Sequence, residues 1–381
     1  MLTTRFHTAI ADLPAAVWDA LRADANPFVS HAFLDALESS GCVRPDWGWQ
    51  PHHLGLYENG ALVAAAPLYL KGNSHGEFVF DWSWASAWER AGGEYYPKLL
   101  NAVPYSPVPG PRLLAGHGER APALQLALVE AMRAEAGHMR LSSVHANFLQ
   151  PTELDAFDAQ WLARSDVQFH WHNHGYRHFP DFLATLNHKK RKNILRERSQ
   201  VATSGLAIEW RSGDGLSHIE WQQLHALYAA TFDAKGNHAA LTVDFFSRLG
   251  ELGSLAQVAL ARHEQEIVAM ALFIQGGGVL YGRYWGASIE VPGLHFELCY
   301  YRGIDYAIAQ KLSRFEPGAQ GEHKLARGFL PARTYSRHYL ANADFRAAVA
   351  AALVREASAV NAYATDLLEH SPYAKHGDSN P

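Results

Sequence analysis

Cysteine is almost missing. Cys42 and Cys299 are the only two in 381 residues, so no disulfide framework can form and a reducing compartment is expected. Cys299 sits in an apolar helical stretch and reads as a packed core cysteine. Long apolar runs are missing too. The longest, Ala61 to Leu70, is about half of the ~20 residues that a membrane helix needs. The stretch after Met1 is broken by Asp12, Pro14 and Asp19 and shows no signal-peptide core. A soluble, cytoplasmic protein without membrane insertion is the expectation. An excess of basic charge is also lacking: the net charge of -5 excludes a general nucleic-acid binder and leaves room only for a local basic patch. There is no low-complexity block and no long linker.

What is present is core material. The chain is 48% hydrophobic and 19% charged, and its length suggests two domains. The chain echoes itself in order. His53 to Leu70 reads as strand, Asn59-Gly60 turn and strand, Asn-Gly being the strongest short hairpin signal. Glu77 to Trp84 reads as a third strand. In the second half Gln257–His263, Ile267–Ile274 and Val279–Gly286 repeat the pattern, with a predicted helix and a Pro-Gly segment after each third strand. Helical periodicity predicts helices over Arg120–Gly137, Phe179–Val201, Ser217–Phe232, Thr242–Leu252, His295–Leu312 and Ala343–Leu368. The expected fold is mixed α/β: two copies of a mostly antiparallel sheet flanked by helices. The domains are placed at 1–175 and 176–372, with a disordered tail over 373–381.

Three clusters carry chemistry. The first is Arg314 to Pro331, where a strand stops at Glu316 and a glycine-rich loop presents Gln320, Glu322, His323, Lys324 and Arg327. Loops of this kind bring backbone close to a ligand, though an ordinary charged surface loop has the same composition. The second is Tyr281-Gly-Arg-Tyr-Trp-Gly, with Arg283, Tyr284 and Trp285, followed by His295 and Glu297 in a first helical turn. There a carboxylate and an imidazole could act as base and acid, or Glu297 could serve the helix N-terminus and His295 be a core histidine. The third is basic: Lys189, Lys190, Arg191 and Lys192 on one helix could grip phosphates, or form a solvated face. In the first half Tyr105, Arg112, His145 and Asn147 could line a cleft, Arg112 pairing either with a ligand or internally. His170, His172 and His174 alternate along a strand, but no carboxylate or thiol partner is evident nearby, and no metal is expected.

Phe315-Glu-Pro-Gly-Ala-Gln-Gly-Glu-His-Lys-Leu-Ala-Arg-Gly-Phe resembles the strand and glycine-rich sequence near the end of FemAB-like acyltransferases. Leu294 to Tyr301, Tyr105 to Arg112 and Asn187 to Ile194 extend the resemblance over most of the chain, toward the bacterial branch of predicted N-acyltransferases described as peptidoglycan biosynthesis or recognition proteins. The resemblance implies two tandem GNAT-like domains and transfer of an acyl or aminoacyl group, from an acyl-CoA or an aminoacyl-tRNA, onto the amine of an amino acid, peptide or cell-wall precursor. Such chemistry needs a base, an oxyanion donor and an acid. Glu297 or Glu322 is the expected base, Gln320 the oxyanion donor, and Tyr284 or His323 the acid. His295, Arg283, Trp285, Tyr105, Arg112, His145, Asn147, Lys324 and Arg327 are the expected substrate contacts, and Lys189 to Lys192 the expected phosphate contacts. The chain departs from GNAT enzymes in one respect: Gly286 to Gly293 does not carry the usual pyrophosphate loop. Two other outcomes stay open, a Fem-type aminoacyl-tRNA-dependent transferase and a non-catalytic muropeptide recognition protein.

Overall fold

The computed structural model describes residues 1–234, 236–319 and 321–374. In chain order the first half holds β1 (Leu2–His7), α1 (Ala15–Ala20), α2 (His31–Ser39), β2 (Trp49–Pro51), β3 (His53–Glu58), β4 (Ala61–Ala66), β5 (Leu68–Lys71), α3 (Trp82–Arg90), β6 (Lys98–Asn101), α4 (Ala121–His138) and β7 (Ser143–Leu149). Then follow β8 (Leu162–His172), α5 (Phe179–Ala184), α6 (His188–Ala202), β9 (Ala207–Ser212), α7 (His218–Asp233), α8 (Val243–Glu251), β10 (Ala256–His263), β11 (Glu266–Gly276) and β12 (Val279–Ala287). Next come α9 (Leu294–Phe296), a π-helical turn (Glu297–Tyr301), α10 (Arg302–Ala309), β13 (Arg314–Glu316), β14 (Leu330–Leu340) and α11 (Ala343–Glu369). Packing divides the chain into two units, Met1–Asp166 with Arg333–Ala362, and Val167–Ala332 with the chain from Tyr363. A single boundary at residue 175 does not describe this return of Arg333–Ala362 to the first unit. Residues 375–381 of the expected tail lie outside the described residues.

In the first unit β1, β3 and β4 form an antiparallel sheet. The turn between β3 and β4 places Asn59 at φ 51° and Gly60 at φ 83°, the two left-handed residues that a tight hairpin turn requires. A second set runs β2-β5-β6-β7-β14, in which β5 and β6 are antiparallel but β6 and β7 are parallel, with Leu99 opposite Val144. Helix α4 connects those parallel strands and buries Leu124, Leu128 and Met132 against Leu54, Leu56, Leu99 and Val144.

The expected third strand of this half is not there. Glu77 to Phe80 is irregular, Trp82 already belongs to α3, and the strand that pairs with β5 is β6. The cause is charge. Glu77 and Asp81 are buried on Lys98, which lies at 2.9 and 2.5 Å from their carboxylates, so the segment folds inward instead of extending.

The second unit repeats the order. Strands β9, β10, β11 and β12 are successively antiparallel, α10 follows, and β13 lies parallel to β12, with Leu280 opposite Phe315. β13 in turn pairs antiparallel with β8, Phe315 opposite Trp171. One core joins Trp171, Phe182, Ile194, Phe273, Leu298, Ile304, Phe315 and Phe329. The predicted Phe179–Val201 helix is two helices, because Asn187 turns its side chain back to cap Lys190 N–H and starts α6 afresh. The protein is a mixed α+β chain of two units that share one order of strands and helices.

Candidate active site

The site forms where two parallel strands part. β12 and β13 pair only over Val279–Tyr281 and Arg314–Glu316. Pro317 comes next, and having no N–H it cannot continue the ladder. A Cβ on Gly282 would lie 3.1 Å from Pro317 Cα, so any larger residue would push the strands apart by a few tenths of an ångström at their closest approach. On the other edge of β12 the register with β11 shifts between Leu272 and Phe273, a bulge that adds local twist. The wedge encloses a hollow of about 290 Å³, with Gly282–Trp285 on one side and Pro317–Ala319 on the other.

The helical segment and the 3₁₀ turn Glu322–Arg327 supply the rest of the wall: His295, Cys299, Tyr300, His323 and Lys324. The π turn at Glu297–Tyr301 inserts an extra residue per turn, and both Cys299 and Tyr300, within it, reach the hollow. Tyr300 Oη and His323 Nε2 are 2.8 Å apart. Lys324 Nζ donates to Gly318 O at 2.7 Å, and burial draws its pKa down to about 8. Burial, followed by the positive charges that His323, Arg327 and Lys324 carry when protonated, draws His295 down to about 4, so its imidazole is neutral near pH 7. Burial also pushes the Cys299 thiol and the Tyr300 phenol up; neither ionises readily. The hollow thus offers neutral imidazoles, a phenol that stays protonated and one ammonium: groups that donate to developing negative charge. An open groove of about 560 Å³ adjoins it, sharing Trp285 and His295 and continuing over Ala287, Ile289, Val291 and Leu294.

Of the residues singled out in the sequence, Arg283, Tyr284, Trp285, His295, His323 and Lys324 meet in this hollow. Gln320 lies outside the described residues. Glu297 does not line it. Its buried carboxylate is taken by Arg198, at 3.1 and 3.2 Å, and by Arg302 at 2.9 Å, so the expected base is an internal ion-pair partner. Arg327 is likewise committed, to Tyr301 Oη at 3.0 Å, His323 O at 2.8 Å and Glu197 at 2.8 Å, with its guanidinium over the Phe296 ring. Glu322 is exposed and accepts from Tyr363 Oη at 2.8 Å. The sequence reading missed Cys299 and Tyr300 as wall residues, because a 3.6-residue period does not anticipate a π turn.

Glu316 was also missed. Its carboxyl is 4% exposed at the end of β13. Arg314 Nε donates to Oε1 at 2.7 Å, while Oε2 has no hydrogen-bond partner among the described residues. His170 Nε2, on β8, is equally unpartnered and lies 3.7 Å from Oε2. Burial raises Glu316 to about 7 against the pull of Arg314 and Arg283, and lowers His170 to about 3.

In the first unit the parallel pair β6–β7 ends at Asn101 opposite Ala146. The guanidinium of Arg112, fully buried, donates to Asn147 O at 3.0 Å, Val108 O at 2.6 Å and Pro111 O at 3.1 Å. Arg112 thus braces three backbone carbonyls. Tyr105 donates to Cys42 O at 3.0 Å. Asn147 is buried, and its side-chain amide has no hydrogen-bond partner among the described residues. His145 is buried with Nδ1 2.6 Å from His338 Nδ1, beside the Lys98 ion cluster. Lys189, Lys190, Arg191 and Lys192 open α6 and form no ion pair among the described residues, whereas Arg198 on the same helix pairs with Glu297 and Asp305.

Among the described residues no helix is long and apolar enough to cross a membrane, and no group of three or more metal-ligating side chains is assembled. No curated protein matches the sequence. A family model described as FemAB-like, peptidoglycan biosynthesis/recognition, matches residues 9–375. The crystal structure of FemX is similar with a TM-score of 0.52 at 9% identity, covering 91% of this chain and 100% of that one. The C-terminal domain of a putative lysylphosphatidylglycerol synthetase from Agrobacterium fabrum is similar with a TM-score of 0.54 at 13% identity, covering 90% and 96%. At these identities the likeness is one of fold.

Proposed function

Because the chain belongs to the FemAB-like family of peptidoglycan biosynthesis and recognition proteins, we propose that it is an N-acyltransferase that moves an acyl or aminoacyl group onto an amine. The observation that carries this reading is the hollow between β12 and β13 with its ring of donors. Attack of an amine on an ester or thioester carbonyl builds negative charge on one oxygen. The buried Lys324 ammonium, held at Gly318 O, is the charge placed to stabilise it. The His323–Tyr300 pair supplies a proton for the departing alkoxide or thiolate. Arg283, Tyr284 and Trp285 orient the donor along β12, and the adjoining groove takes its acyl or side-chain portion. The acceptor is an amino acid, a peptide or a cell-wall precursor carrying a primary amine.

A specific observation favours an aminoacyl-tRNA donor over an acyl-CoA. The turn after β12, Ser288 to Gly293, contains Glu290 and no basic residue, and a Cβ at Gly293 would sit 3.1 Å from Glu197 O. That is poor ground for a diphosphate. Lys189 to Lys192, which form no ion pair among the described residues, supply the cations instead.

Purified protein should be offered acetyl-CoA, a longer acyl-CoA and alanyl-tRNA, each with a UDP-linked muropeptide as acceptor, and amide formation followed. Amide product with one of these donors supports the reading. Muropeptide binding without product from any of them supports a recognition protein instead. For alanyl-tRNA, replacing Lys189 to Lys192 by Gln should weaken binding and flatten the salt dependence by about 0.7–0.9 log units per lost phosphate contact; an unchanged slope removes α6 from the donor site.

A further inference from the structure

We propose that Glu316, with His170 facing it, is the proton acceptor for the acceptor amine. The proposal rests on the transferase reading and replaces Glu297 and Glu322 as the expected base.

The fold buries two side chains and leaves them half used. Glu316 Oε1 is engaged by Arg314 at 2.7 Å, whereas Oε2 faces His170 Nε2 across 3.7 Å, and neither of these two atoms has a hydrogen-bond partner among the described residues. That separation is too long for a direct hydrogen bond. It is short enough for one donor nitrogen to lie within about 3 Å of both. Burying a carboxylate oxygen and an imidazole nitrogen unpaired costs free energy, so their retention together points to a ligand donor that completes the pair. Neither residue itself lines the hollow and both atoms are closed to solvent, so an amine reaches the pair only when the adjoining wall at Pro317–Ala319 gives way. Glu316 is the last residue of β13, and the next three, Pro317 to Ala319, line the hollow. Arg283, which also lines it, lies near enough to stabilise the Glu316 carboxylate.

The groups around the pair set its proton affinity. Arg314 on β13 and Arg283 on β12 favour the Glu316 carboxylate, while burial opposes it and wins, leaving the group near 7. His170 is kept neutral by burial and by Arg314, His172 and Lys324, so it accepts a hydrogen bond without competing for the proton. A base that titrates near the working pH is the efficient one.

The step balances as follows. The acceptor's ammonium gives one proton to Glu316 Oε2, and the freed lone pair forms the C–N bond to the donor carbonyl. The C–O bond of an ester, or the C–S bond of a thioester, breaks with its electron pair. A second nitrogen proton ends on that leaving alkoxide or thiolate, and the third stays on the product amide. Glu316 returns its proton to solvent.

The test uses the full chain and the donor panel above, with kcat/KM followed from about pH 5.5 to 9 for wild type, Glu316→Gln and Glu316→Asp. ¹³C NMR of carboxyl-labelled glutamate is recorded alongside, and thermal unfolding checks that each variant folds. The expected result is a wild-type rate that rises through a pKa near 7, and a carboxyl resonance that titrates there. In Glu316→Gln both disappear, with a rate loss of about 10²–10⁴-fold, and Glu316→Asp recovers part of the rate. A folded Glu316→Gln that keeps the wild-type rate and the same pH limb overturns the proposal and leaves the transferase reading standing. A wild type that makes no amide from any donor overturns that reading, and the base assignment with it.

Discussion

Lys98 shows what a single buried charge does in this chain. It is fully buried with its ammonium between Glu77 and Asp81, and Ser74 and Tyr95 hydrogen-bond to the same Asp81 carboxylate. Removing one member of such a cluster leaves its partners charged and unpaired. Lys98→Ala should therefore destabilise the fold by about 3–5 kcal/mol, read as a shift in the urea unfolding midpoint. Glu297 makes the contrasting case. Arg198 and Arg302 keep partial solvent contact, so Glu297→Gln should cost only about 1–3 kcal/mol and leave amide formation at the wild-type rate. Loss of turnover in a folded Glu297→Gln would restore it as a catalytic group. One of its two partners was invisible in the sequence because Arg198 is 99 residues away, and no local pattern carries that pairing. His323 and Lys324, by contrast, could be read directly. Glycines on either side marked their segment as one where backbone approaches a ligand.

At the level of elements, the legible parts were those with local causes. The Asn59-Gly60 hairpin, the three antiparallel strands β10 to β12, and the end of β13 at Glu316-Pro317 all follow from alternation and turn chemistry. The misread parts had distant causes. The Glu77 segment looked like a strand because its alternation was real, yet Lys98 pulled it inward. The break before α6 was hidden because apolar spacing continued through Asn187. The wedge itself is an element-scale device, set by a short parallel pairing, a proline stop and a glycine at the point of closest approach. Gly282→Val puts branched carbon where Cβ already meets Pro317 Cα at 3.1 Å. It should narrow the hollow and lower amide formation at least about tenfold while costing about 1–3 kcal/mol in stability. Full activity in that variant would mean that the acyl group does not enter between β12 and β13.

For the whole molecule, the burial of ionisable groups predicts how stability follows pH. His145 and His170 are held down to about 3 and His295 to about 4, with His338 lower than normal as well, in each case chiefly by burial. The unfolded chain takes up these protons below about 6.5 and the folded chain refuses them, so their contribution to stability is complete above that pH and is lost as pH falls. Glu77 and Glu316, raised to about 7 by burial, act the other way. Their contribution is complete below an unfolded carboxyl pKa of about 4.3 and is lost as pH rises through 7. The two effects oppose each other between about 4.3 and 6.5; below that range the histidine loss continues and is joined by that of carboxylates held low in the fold, Asp81 among them. Thermal unfolding should therefore show a shallow dependence from pH 5 to 7 and a steep fall below about 4.3. Glu316→Gln should be as stable as wild type, or more so, at pH 8.

The central claim is that chemistry takes place in the hollow between β12 and β13, with the Lys324 ammonium at its wall. The most direct measurement is the rate of amide formation by Lys324→Met under conditions where wild type turns over. A folded variant with its rate reduced by about 10²-fold or more is the predicted result; a folded variant working at the wild-type rate would contradict it.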